Sequence, residues 1–171
     1  HTKRCIEKQV LDTPCALKFS SQSEQYRWLD GFRGETCLAL EEDFVLKRKE
    51  GFYSYQLAVV CDDIAQNINH VVRGADLIDS TPMQLALYRA LKEEPPEFCH
   101  FPLVLDKHGQ KLSKQNLSPE INNALAMQNL LEVFKLLGIS LPRSPTCPQE
   151  ALSLAIPIWS RIALPSNNLT K

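Results

Sequence analysis

The stretch Phe101-Pro102-Leu103-Val104-Leu105, then Asp106 to Gln110, then Lys111-Leu112-Ser113-Lys114-Gln115-Asn116, decides the reading of this chain. Five residues of strand length and apolar character lead through a polar turn into a loop with two lysines. Such a run suits a strand internal to a parallel sheet, where both faces are covered. Two ammonium groups in the loop that follows suit phosphate. They neutralise its charge while the Ser113 hydroxyl and backbone N–H groups supply direction. Taken alone, Lys-x-x-Lys is more often a solvated basic loop, and a second motif is what turns the reading.

That motif is Val71-Val72-Arg73-Gly74-Ala75-Asp76-Leu77, continuing Ile78-Asp79-Ser80-Thr81-Pro82. It reads as a buried strand that delivers Arg73 to its carboxyl end, with Gly74 for close backbone approach and a helix starting near Thr81 with Pro82 in its first turn. Ligands of open α/β sheets bind at the carboxyl ends of strands. Arg73 is therefore placed to grip a carboxylate with a planar, permanently charged fork. Met83 to Leu91 has helical periodicity and ends before Pro95-Pro96, so strand, helix and the Phe101 to Leu105 strand form a right-handed βαβ unit.

With Phe52-Tyr53-Ser54-Tyr55-Gln56-Leu57-Ala58-Val59-Val60-Cys61-Asp62-Asp63 upstream, the three motifs resemble, in order and spacing, the glutamyl-tRNA synthetase group of class I aminoacyl-tRNA synthetases. Lys-Leu-Ser-Lys-Gln-Asn together with Arg-Gly-Ala-Asp-Leu is most similar to a short branch of that group, the glutamyl-queuosine tRNA(Asp) synthetases, which has no anticodon-binding domain. The resemblance is densest from Asp43 to Asn116. It implies an α/β fold: the second half of a Rossmann-like nucleotide-binding domain over 43–117, a β-rich insertion remnant over 1–42 before it, and a helical segment over 118–171 after it.

The resemblance also implies the chemistry. Glutamate would attack ATP to give a glutamyl adenylate, with Mg2+ as cofactor, and the glutamyl group would pass to queuosine in the anticodon of tRNA(Asp). Lys114 and Lys111 are the expected catalytic residues. Lys114, Lys111 and Ser113 are expected on ATP, and Tyr55 and Arg73 on glutamate. Cys5 would complete a Zn2+ site whose other ligands lie upstream in the family, as do an arginine-bearing strand and a His-containing phosphate loop. The chain is thus expected to be the carboxyl-terminal part of an enzyme, inactive alone. The sequence departs from the family at Leu117, often histidine in relatives, and at Cys61, usually valine. Two other readings remain: part of a glutamyl-tRNA synthetase that charges the acceptor end, and a non-catalytic binding module derived from a synthetase.

Composition agrees with a globular piece. Nineteen basic against 20 acidic residues leave no electrostatic footprint for nucleic acid, so tRNA would be met by a local patch. No apolar run approaches the ~20 residues needed to cross a bilayer. Six scattered cysteines without a C-x-x-C pair suit reduced thiols. A cytoplasmic monomer is expected.

Local patterns complete the forecast. Ala16 to Ser20 alternates as a strand, and Tyr26 to Leu29 and Phe32 to Leu38 flank Asp30-Gly31 as a hairpin would. Phe44-Val45-Leu46 is a strand ending in the basic run Lys47-Arg48-Lys49. From Tyr55 to Ile68 the spacing is helical, although Val59-Val60 also suits a strand. Tyr55 would sit in the first turn with its ring packed in the core. Asp62-Asp63 diverge by about 100° on a helix and make a poor joint metal site. Ser118 to Leu137 reads as one long helix stopped by Gly138, and Gln149 to Ile162 as another containing Trp159.

Overall fold

The computed structural model describes residues 15–113, 120–160 and 168–170. The chain forms two compact units. The first comprises the chain up to Phe98 apart from residues 31–33 and 72–76, and the second comprises those two short stretches with the chain from Cys99 onward.

In the first unit, β1 (Leu17–Phe19) pairs antiparallel with β4 (Phe44–Lys47), and β2 (Glu24–Asp30) pairs antiparallel with β3 (Gly34–Leu40). The β2–β3 hairpin turns through residues 31–33, with Asp30 opposite Gly34. The Asp30-Gly31 turn is therefore displaced. Gly34, at φ +75°, supplies the left-handed residue that a three-residue hairpin loop needs, and Gly31 is not in that region.

Helix α1 (Tyr55–Ala65) settles the choice between helix and strand: the Ser54 hydroxyl caps its start by accepting from the Leu57 N–H at 3.4 Å. It stops before Ile68. Helix α2 (Thr81–Leu91) begins where forecast, preceded by a 3₁₀ turn (Ala75–Ser80), and ends at Lys92, left-handed at φ 61°. The core of this unit gathers Tyr26, Leu40, Phe44, Val60, Ala86, Leu87, Tyr88 and Phe98. The Tyr88 hydroxyl is buried with no hydrogen-bond partner among the described residues. Burial, with the charge of Asp63 second, pushes its pKa up to about 12.

Strand β5 (His70–Gly74) neighbours β6 (Glu97–Phe101), so strand, helix and strand follow as the sequence implied, but the last strand begins four residues early. Phe98, Cys99 and His100 are its buried residues. Pro102 has no N–H to donate and ends the ladder. Only Val104–Leu105 resumes as β7, pairing in parallel with β8 (Leu169–Thr170), a strand the sequence did not suggest.

In the carboxyl-terminal part, α3 (Ala126–Leu136) is shorter than the forecast helix and is preceded by a 3₁₀ turn (Asn123–Leu125), with Asn122 accepting from the Ala124 N–H. Its end matches: Gly138 is left-handed at φ 69°. The Ile139 N–H reaches Phe134 O at 2.8 Å and the Gly138 N–H reaches Lys135 O at 3.2 Å, the paired bonds of a Schellman stop. Helix α4 (Pro148–Ala155) gives way to a 3₁₀ turn (Ile156–Ile158) that carries Pro157, so Trp159 lies beyond the helix, partly exposed. Phe134, Ala151 and Ala155 form a second small core. No helix among the described residues is long and apolar enough to cross a membrane.

Candidate active site

Arg73 comes from β5 and His100 from β6, and the two side chains meet in the interior of the second unit. Arg73 is 9% exposed and His100 fully buried. The Arg73 Nε–H donates to His100 Nε2 at 2.9 Å. A ring nitrogen that accepts carries no proton, so the imidazole is the neutral tautomer protonated on Nδ1. Arg33, from the hairpin turn, donates through its Nε to the His100 carbonyl at 3.3 Å. Sequence reasoning found Arg73 and missed His100, whose signal was a histidine inside the short run Phe98-Cys99-His100-Phe101.

Gly74 follows Arg73 for a reason of space. A Cβ there would come within 2.4 Å of Asp76 Oδ1 and 3.3 Å of Leu103 Cδ2. The close approach is made by the chain's own carboxylate, where the sequence suggested close backbone approach alone. Asp76 in turn accepts from Lys111 Nζ at 2.6 Å. This ion pair joins the Arg-Gly-Ala-Asp motif to the lysine loop within one unit. The Lys111 hydrogen bond holds the Asp76 carboxyl below its usual range; partial burial acts the other way and its own backbone N–H assists.

The lysine loop is prepared by a rigid turn. The Asp106 carboxylate accepts from the N–H groups of His108 at 2.8 Å and Gln110 at 2.9 Å, and the Asp106 N–H donates to Gln110 O at 2.8 Å. Gly109 takes φ +78° within it. Lys111 then bridges back to Leu105, and the Leu112 N–H bonds Val104 O at 3.0 Å. Ser113 is half-buried. Lys114 lies outside the described residues, as does Cys5.

Tyr55 stands in the first unit, at the first turn of α1, as the spacing implied. The residue is 56% exposed, which overturns the expectation that it packs in the core. The next residue, Gln56, donates to Ser80 Oγ at 3.0 Å and accepts from Gln84 Nε2 at 2.9 Å, fixing the start of α1 against the head of α2. Among the described residues no group of three or more His, Cys, Asp and Glu side chains could hold a metal ion. An open hollow of about 550 Å³ borders Phe134, Ile139, Leu141 and Arg143, and among the described residues none of those expected in the site lines it.

Comparison with known proteins adds the following. Residues 2–141 match the family tRNA synthetases class I (E and Q), catalytic domain. The chain is 36% identical over 156 residues to a Glutamyl-Q tRNA(Asp) synthetase of Vibrio cholerae, covering 88% of this chain and 51% of that protein. It is 39% identical over 164 residues to the protein of that name from Idiomarina loihiensis, covering 92% and 57%. It thus spans about half the length of the curated relatives it matches. Among solved structures, a glutamate-tRNA synthetase from Elizabethkingia anophelis superposes with a TM-score of 0.64 at 22% identity, covering 87% of this chain and 34% of that one, a likeness of fold.

Proposed function

The chain belongs to the catalytic-domain family of class I tRNA synthetases for glutamate and glutamine, and from that premise we propose that the protein carrying it activates glutamate with ATP and transfers the glutamyl group to queuosine in tRNA(Asp). The observation that best supports a single site is the Lys111–Asp76 pair, which ties the arginine motif to the lysine loop. The acceptor follows the names of the relatives from Vibrio cholerae and Idiomarina loihiensis.

In this reading Arg73 and Tyr55 hold glutamate, while Lys111, Ser113 and Lys114 hold the triphosphate. A carboxylate oxygen of glutamate forms a bond to the α-phosphorus of ATP as the bond to pyrophosphate breaks. The acceptor hydroxyl then attacks the carbonyl carbon and AMP leaves. Such catalysis is mainly positioning and charge stabilisation, with no covalent role for the protein. Lys111 enters the site paired with Asp76, so phosphate oxygens would compete with that carboxylate for its ammonium. Mg2+, when present, would arrive with the nucleotide and neutralise phosphate charge beside the lysines. Zn2+ through Cys5 would need ligands from other parts of the protein and has no step in this mechanism. The division into 1–42, 43–117 and 118–171 is proposed as the family's insertion, nucleotide-binding and helical regions.

Glutamate-dependent exchange of pyrophosphate into ATP without tRNA, followed by glutamate transfer to tRNA(Asp) with and without queuosine, tests the reading. Exchange and queuosine-dependent transfer are expected from the intact protein. Transfer that ignores queuosine would point to a synthetase charging the acceptor end, and absence of both reactions to a non-catalytic module.

A further inference from the structure

We propose that the hairpin tip over 47–53 is a docking surface for a single-stranded stretch of RNA, with a base stacked on Phe52 and phosphates held by Lys47, Arg48 and Lys49. The inference deepens the transfer reading above and rests on its acceptor being an RNA. A chain of net charge −1 meets RNA through a local patch, and this turn is one: three cations stand there against one carboxylate, Glu50. The Lys49–Glu50 pair is 3.9 Å long and exposed, too weak to silence the tip.

The turn is set before any ligand arrives. Lys47 bridges antiparallel to Tyr53, the Arg48 N–H donates to Phe52 O at 2.8 Å, and the Gly51 N–H donates to Arg48 O at 2.9 Å. Gly51, at φ +97°, closes it in a conformation that a side chain would strain. The Lys47 ammonium lies 5.1 Å over the Tyr53 ring, which fixes one cation beside the aromatic pair. Phe52 is 70% exposed and Tyr53 63%, although rings of that size gain more than most side chains from being covered. Adjacent rings left in water among cations suit unpaired nucleotides: every base has a face to stack, and its phosphates find the charged groups. A duplex hides those faces and would gain from charge alone. A preformed turn also loses little freedom on binding.

The test uses the intact protein with three probes titrated at several KCl concentrations: tRNA(Asp) carrying queuosine, a stem-loop RNA copying its anticodon arm, and a fully paired RNA duplex. Phe52→Ala is expected to weaken binding of the tRNA and the stem-loop roughly tenfold and to leave the duplex unchanged, with Phe52→Trp recovering most of the loss. Lys49→Gln is expected to weaken all three by about threefold and to lower the salt slope by about 1. Glutamate-dependent pyrophosphate exchange without tRNA should match the parent in every variant, because neither residue touches glutamate or ATP in the reading above. Variants that bind the tRNA and the stem-loop as the parent does, or an equal loss on the duplex in Phe52→Ala, overturn the docking surface while normal exchange leaves the glutamate reading standing. Phe52-dependent binding to phosphatidylserine vesicles with tRNA binding unmoved would overturn it in favour of a lipid surface. An unsubstituted protein that shows no exchange yet binds the stem-loop through Phe52 overturns the glutamate reading and leaves the docking surface in place.

Discussion

Two arginines, Arg73 in the β5–β6 interior and Arg89 on the surface of α2, show how burial changes what the same side chain does. Arg73 is buried and bonded to a neutral ring. Arg89 pairs with the Glu24 carboxylate, bonds Tyr26 Oη at 2.8 Å and lies 5.1 Å above the Tyr26 ring, with its side chain 62% exposed. On the usual view an ion pair to a carboxylate is the stronger contact. In water the ordering reverses: screening and side-chain entropy leave an exposed pair little net effect. A buried bond is costly to break because its orphaned partner has no water to turn to.

The largest expected effect that would break this comparison is in the interior. Arg73→Leu strands the His100 acceptor and should lower unfolding stability by about 1–3 kcal/mol, read by urea denaturation at neutral pH. A variant as stable as the parent would remove the contrast.

Gly74→Ala should have an intermediate effect. The new Cβ displaces the Asp76 carboxylate from which Lys111 takes its hydrogen bond. The Asp76 pKa is depressed in the folded state, so its contribution is fully present above the ordinary carboxylate value and is lost as pH falls through the folded one. Gly74→Ala should flatten that acid limb. Made in an Asp76→Ala background, it should add little, and a double-mutant cycle measures the coupling. Full additivity would mean that Gly74 serves Leu103 rather than Asp76.

The smallest effect belongs to the surface. Arg89→Ala should leave the thermal midpoint near that of the parent at moderate salt. The Arg89 hydrogen bond holds the Glu24 carboxyl below its usual range, so whatever the pair adds is present above the ordinary carboxylate value and fades as pH falls through the depressed one. A loss that persists in high salt would show packing of Arg89 on Tyr26, and would sharpen the comparison by separating the ring contact from the charge.

How legible the molecule was depended on the kind of signal. Pro82 and Gly138 act through their own backbone geometry, and the start of α2 and the stop of α3 fell where they pointed, while the start of α1, read from apolar spacing, proved to be capped by Ser54. Pro102 and Pro157 carry equally local signals that apolar periodicity concealed. One cut the forecast strand and moved it to Glu97–Phe101, and the other ended α4 before Trp159. Asp30-Gly31 was the expected hairpin turn, and strand register put Gly34 in the left-handed position instead.

By itself, then, the sequence determined the strand–helix–strand order of β5, α2 and β6, the start of α2, the stop of α3, and the motifs that place Arg73, Asp76 and Lys111 near the ends of strands, because these depend on residues close along the chain. Only the tertiary structure decided that Lys111 pairs with an aspartate 35 positions away. It also decided that Tyr55 is exposed and that His100 holds Arg73. Those facts rest on which side chains burial brings together, and periodicity carries no record of a partner across a strand.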